Sequence, residues 1–207
     1  MNKINYQKEL EKIISNIKAS GTLPKLLVHS CCAPCSSYVL EYLNPYFDIT
    51  VLYYNPNISP KEEYEKRKAE QIRLINELSK DKPISFFDCD YDGDTYETSI
   101  KGYESEPEGG LRCKICFSLR LDKTAKFAQT EGFDYFVTTL SISPLKNAAL
   151  LNEIGFNLAE KYDVKYLPSD FKKREGYKRS IELSKKYNLY RQNFCGCIYS
   201  KKEADNL

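Results

Sequence analysis

The chain has no tryptophan, one methionine and one histidine. A single histidine, His29, excludes a metal site built on several imidazoles. Its place at the end of a buried strand reads as structural, with a proton donor beside the following cysteines as the other reading. No run approaches about 18 consecutive apolar residues, so no membrane span is expected. The opening stretch MNKINYQKELEKIISNIKASG is charged throughout and lacks the apolar core of a signal peptide, so the cytoplasm is the expected compartment. It reads as an amphipathic helix, with Leu10, Ile13, Ile14 and Ile17 at helical spacing and a stop near Gly21. No GxGxxG or Walker loop gives motif support for nucleotide binding. There is no internal repeat or low-complexity tract. Net charge is only +2, so any attraction for nucleic acid must be local. With 42% hydrophobic and 29% charged residues in 207 positions, the chain reads as a single folded domain.

What is present is sulfur as cysteine. The eight cysteines are 31, 32, 35, 89, 113, 116, 195 and 197. That is about 4% of the chain, below the roughly 8–10% of disulfide scaffolds. In a reducing compartment, clustered thiols point to metal or catalysis rather than to structural bridges. Seven of the eight fall in three tight groups, which isolated core thiols would not. Cys31 and Cys32 are adjacent, with Cα atoms about 3.8 Å apart. Ordinary disulfides want roughly 4.4–6.8 Å, so both thiols are expected to look elsewhere. Cys113-Lys-Ile-Cys116 can bring two thiolates to one metal at the start of a helix. The vicinal pair plus this CxxC gives four thiolates, the number for Zn(Cys)4 or a [4Fe–4S] cluster, and the pattern does not choose between them. Cys195-Gly-Cys197 can close a small strained ring of the labile, redox-active kind; further metal ligands are its other reading. Cys32-Ala-Pro-Cys35 also looks like a thioredoxin-type dithiol. Cys89 reads as a core thiol.

The order of elements argues for a three-layer α/β fold with a mostly parallel sheet. Strands are expected at 25–30, 48–57, 83–90, 133–143 and 164–170. Helices are expected at 36–46, 59–80 (with Ser59 as cap), 112–132, 147–163 and 176–188. Residues 91–111 read as a long surface loop. Within 88–99, Asp88, Asp90, Asp92 and Gly93 imitate a calcium loop, but Ser99 stands where a bidentate Glu is required. Sites in such folds lie beyond the carboxyl ends of the strands, which is where Cys31, Cys32 and Cys35 fall.

Charge is unevenly placed. From Lys165 to Arg191 the chain carries nine cations against three anions, and the remainder is net acidic. Lys172, Lys173, Arg174, Lys178, Arg179 and Arg191 interleave with Phe171, Tyr177, Tyr190 and Phe194. That mixture suits phosphates and unpaired bases of RNA, and it leads into Cys195 and Cys197. A solvated helix face is the plainer reading.

From about Lys25 to Tyr199 the sequence resembles the epoxyqueuosine reductases called QueH. The resemblance is carried by HSCCAPCSS (29–37), YYNPNISP (53–60), EGGLRCKICFSLRLDKTA (108–125), TTLSISPLKN (138–147) and DFKKREGYKRSIELSKKYNLYRQNFCGC (170–197). It implies an adenine-nucleotide-hydrolase-like (HUP-like) architecture and reduction of epoxyqueuosine to queuosine at the tRNA wobble position. It implies a [4Fe–4S] cluster on Cys31, Cys32, Cys113 and Cys116, and a redox-active pair at Cys195 and Cys197. A second, mononuclear iron is also associated with the family, with Cys35 and Asp90 as candidates here. The partners implied are the tRNA anticodon loop and an external electron donor. Two other functions fit the residues: a thiol–disulfide oxidoreductase using Cys32 and Cys35, and a zinc-stabilised RNA-binding module.

Overall fold

The computed structural model describes residues 4–80 and 82–205. Five parallel strands form one sheet: β1 (Lys25–His29), β2 (Asp48–Tyr53), β3 (Ser85–Asp88), β4 (Tyr135–Thr138) and β5 (Lys165–Tyr166), in the order β3-β2-β1-β4-β5. β1 lies between β2 and β4, with Val28 opposite Val51 on one side and Val137 on the other. A strand flanked on both edges and covered on both faces must be apolar along its whole length. Leu26, Leu27 and Val28 are accordingly fully buried.

Alternation along the strands feeds two cores. On one face Leu26, Val28, Ile49 and Val51 meet α1 (Tyr6–Ser20), α2 (Ala33–Leu43) and α3 (Lys61–Leu78), through Leu10, Ile14, Val39, Leu40 and Ile75. On the other, Leu27, Leu52 and Phe136 meet α5 (Leu111–Thr130) and α6 (Ala148–Tyr162), through Phe117, Leu121, Leu151 and Ile154. These are the three expected layers. The expected strands are shortened at their carboxyl ends. Residues 139–142 leave β4 as a 3₁₀ turn, with the Thr138 hydroxyl accepting from the Leu140 N–H. Ser59 does not cap α3; the helix begins one residue after Pro60, and the Ser59 N–H is taken by the Gly196 carbonyl at 3.0 Å.

Two further helices lie where the sequence has no long apolar stripe. α4 (Gly93–Ser99) sits inside the expected loop, and its Tyr96 packs with Ile100, Cys116 and Cys197. α8 (Ile198–Asp205) follows the last cysteine pair. α7 (Gly176–Lys186) packs against α2 and backs the cysteine-bearing turn. That contact needs Gly176: a Cβ there would collide with the Phe171 carbonyl and the Tyr38 ring. No described helix is long and apolar enough to cross a membrane.

Replacing Gly176 with alanine is expected to destabilise the chain by about 1–3 kcal/mol, because a backbone carbonyl cannot step aside as a side chain can. Thermal unfolding should show the lowered midpoint.

Candidate metal and thiol site

The strand order reverses between β1 and β4. β1 leads into α2 on one face, and β4 leads on to α6 on the other. The diverging connections leave a crevice beyond the strand ends, where ligands of such sheets are bound. A cavity of about 170 Å³ occupies it. Its walls include Cys31, Cys32 and Cys35 after β1, Lys146 after β4, and Phe194 and Cys195 from the chain after α7.

Cys32 stands immediately before α2 in extended conformation, and Pro34 occupies the first turn, where no N–H is needed. The Cys32 carbonyl accepts from the Ser36 N–H and hydroxyl. This turn gathers the sulfurs of Cys31, Cys32 and Cys35 within 4.8 Å of one another, a group able to hold a metal ion. Cys31 and Cys32 sulfurs are 3.8 Å apart. The Cys32 thiol is held well below the ordinary range, first by the Cys31 thiol and then by Cys35. Cys35 is pushed well above it by the same two neighbours. Of the three, Cys32 is the thiol whose charged form its neighbours favour most.

The other cysteines lie on two sides of this turn. Cys195 shares the cavity. Cys197 is buried behind it with Cys116, Tyr96 and Ile100. Burial pushes the Cys116 thiol up to about 12. Cys113 is half-buried, and its sulfur accepts from the Gly109 N–H at 3.3 Å; it packs on the core cluster that holds Cys31 and Cys32. Of the expected quartet, Cys113 packs on the same core cluster as Cys31 and Cys32, whereas Cys116 lies in a separate cluster with Cys197; the tight group among the described residues is Cys31, Cys32 and Cys35. Asp90 is exposed in the turn after β3 and is not part of that group. Cys89 is half-buried, with its thiol pushed up to about 11 by burial. All eight cysteines are free thiols.

His29 is structural. Its Nδ1 lies 2.9 Å from the Thr138 hydroxyl and its Nε2 3.1 Å from the Tyr54 carbonyl. A carbonyl only accepts, so the proton is on Nε2 and Nδ1 takes the hydroxyl hydrogen. Burial lowers the imidazole pKa to about 4, which keeps the ring neutral.

Three cations at the site escaped the sequence reading. Arg67 and Arg120 are each only 1% exposed, and each has a buried Nη2 without a hydrogen-bond partner. Arg120 donates through Nε to the Cys116 carbonyl at 3.2 Å, and its charge is felt by Cys116, Cys195 and Cys31. Lys146 is half-buried in the cavity wall; burial opposes its charge, but the sulfurs of Cys195, Cys31 and Cys35 together outweigh that and favour the charged form. A signal did exist: Arg67 shares a helix face with buried Tyr64, Gln71 and Leu74, and Arg120 one with Cys116, Phe117 and Thr124. A cation inside an apolar stripe calls for a buried anion.

Four of the nine cations in the basic segment are paired with carboxylates. Arg174 grips Glu11 at 2.9 and 3.1 Å. Arg179 grips Glu41 at 2.9 and 2.8 Å and also reaches Glu182. Lys172 pairs with Asp170 and Lys178 with Glu175. Arg191 is exposed at the cavity mouth, where its Nη1 donates to the Ser184 hydroxyl; no carboxylate pairs with it or with Lys173 among the described residues.

Comparison with known proteins accords with this site. The family model described as "Epoxyqueuosine reductase QueH" matches residues 26–203. The epoxyqueuosine reductase QueH of Staphylococcus epidermidis is 47% identical over 202 residues, covering 96% of this chain and 85% of its own. That of Streptococcus pyogenes serotype M1 is 45% identical, covering 97% and 79%. That of Staphylococcus aureus is 45% identical, covering 96% and 84%. A thiol-lined crevice at the switch point of a parallel sheet, and similarity along nearly the whole chain, place this protein in the epoxyqueuosine reductase QueH family.

Proposed function

We propose that this chain reduces epoxyqueuosine in tRNA to queuosine, using an iron–sulfur cofactor and the Cys195–Cys197 pair. The observation that carries the reading is the crevice itself, where the Cys31, Cys32 and Cys35 sulfurs and Cys195 line one cavity. The residues fit a [4Fe–4S] cluster. The donors at hand are soft thiols, the ligand type such clusters take. The unpartnered Nη2 of buried Arg120, close to Cys116, Cys195 and Cys31, is a positive charge suited to an anionic group between those sulfurs. Cys31, Cys32, Cys113 and Cys116 are the proposed cluster ligands, which leaves Cys35 for an additional iron. Bound there, iron would supply Lewis-acid and electron-relay chemistry.

The chain's own residues do the rest. Lys146 and Arg191 draw the anionic RNA to the cavity mouth, and Phe194 offers a ring on which a splayed base can stack. Lys172, Lys173, Arg174, Lys178 and Arg179 extend the contact along the backbone, with Lys173 freest to meet phosphate. Cys195 and Cys197 carry the electrons. Their two S–H bonds give two electrons and two protons as the S–S bond forms. Both epoxide C–O bonds break, a C=C bond replaces them, and the oxygen leaves as water. An external dithiol or equivalent donor then reduces the pair again.

A dithiol role for Cys32 and Cys35 has one observation in its favour, the lowered Cys32 thiol opening α2. Cys31 sets the site apart from a simple dithiol, because it is the first cause of that lowering.

Cys113→Ala is expected to abolish the visible iron–sulfur absorbance of anaerobically purified protein; an unchanged spectrum would remove Cys113 from the ligand set. Cys197→Ser should keep its iron and lose turnover by roughly a hundredfold or more, measured by mass analysis of nucleosides from epoxyqueuosine-tRNA. Affinity for tRNA should fall steeply with salt, and Arg191→Ala or Lys173→Ala should lower the slope of log K against log salt by about one unit.

A further inference from the structure

The chain between α7 and α8 is gripped by a single face of α3. Arg73 donates to the carbonyls of Tyr187 and Asn188 at 3.0 and 3.2 Å. Glu70 accepts from the Tyr190 N–H at 2.7 Å, and Glu63 from the Tyr190 hydroxyl at 3.1 Å. The Lys66 ammonium lies 3.6 Å from the centre of the Tyr190 ring. Positions 63, 66, 67, 70 and 73 recur at helical spacing, so one stripe holds the whole arm. Arg67 closes the series at the cysteine end. Its Nε donates to Glu63 at 2.7 Å and its Nη1 to the Cys195 carbonyl at 3.0 Å. The Phe194 ring covers the guanidinium at 4.9 Å. Behind it, a Cβ on Gly196 would come within 3.2 Å of Nη1 and 3.0 Å of Ile58 Cγ1, in a backbone region (φ +138°) that other residues rarely adopt. Gly196 is what lets the cysteine turn approach so closely. The Ser59 N–H fixes the Gly196 carbonyl from the other side.

We propose that Arg67 is the positioning residue of the Cys195–Cys197 turn: held by Glu63, its fork fixes the Cys195 carbonyl and so aims the Cys195 thiol into the cavity shared with Cys31, Cys32 and Cys35. A planar fork with two bonds in fixed relation does this; a point charge cannot. Arg67 is not among the residues that line the cavity. It acts through Cys195, and the proposal rests on the reading of Cys195 and Cys197 as the electron-carrying pair.

The test compares wild type, Arg67→Met, Arg67→Lys and Gly196→Ala as full-length chains purified anaerobically with their iron. Native Cys195 is labelled with N-ethylmaleimide and followed by peptide mass spectrometry, alongside iron content, kcat and KM for epoxyqueuosine-tRNA. Release of the turn should raise the labelling rate at Cys195 at least tenfold in all three variants, with iron retained and kcat reduced tenfold or more. Gly196→Ala leaves the Arg67–Glu63 ion pair in place, so it reports on the turn even if the buried arginine variants fold poorly. Wild-type labelling and kcat in Gly196→Ala, or full rescue by Arg67→Lys, would overturn the proposal, the latter because charge alone would then suffice. Full activity of Cys197→Ser would instead sink the electron-carrier reading, while the labelling rates would still decide whether Arg67 holds the turn.

Discussion

The site depends on one topological constraint, the reversal of strand order between β1 and β4. Connections that leave neighbouring parallel strands toward opposite faces cannot fill the space between them. α2 packs with Val39 and Leu40 on one core, and α6 with Leu151 and Ile154 on the other. The turns before those helices are therefore left facing each other across a gap. One of them carries Cys31, Cys32 and Cys35, the other Lys146. The segment that roofs the gap, 191–195, comes from distant sequence and must be tied down by side chains, which is the task of α3.

Electrostatics explains why that gap suits thiolates. Arg67 and Arg120 are taken from water without finishing their hydrogen bonds. Uncompensated, such groups would cost several kcal/mol each. Glu63 compensates one of them in part; Arg120 stands beside the sulfurs of Cys116, Cys195 and Cys31. The neutral His29, which bonds to Thr138 and Tyr54, joins the ends of β1 and β4 beneath this charge without adding to it.

Much of this was legible in the sequence, for identifiable reasons. Strand–helix alternation is written in local periodicity, and the layers emerged where the period changed. The grouping of cysteines survives in one dimension because the turns that carry them are short. The interior arginines were missed because α3 and α5 also carry many surface charges, and composition does not separate a buried cation from an exposed one. α4 and α8 were missed because each buries too few residues for a stripe: one in α4, Tyr96, and one in α8, Ser200. The basic segment looked more available than it is. Its partners Glu11 and Glu41 lie more than a hundred residues away, and folding brings them to Arg174 and Arg179.

The small motif after Cys197 carries a mechanical implication. The Cys197 thiol donates to the Ser200 hydroxyl and accepts from the Ser200 N–H, each at 3.4 Å, while the same hydroxyl reaches the Cys197 carbonyl at 3.0 Å. Sulfur here serves as the cap of α8. In the proposed reduction, a cap that turns away to bond with Cys195 would let go of the helix it starts, so the last helix of the chain would act as an indicator needle for the state of that sulfur.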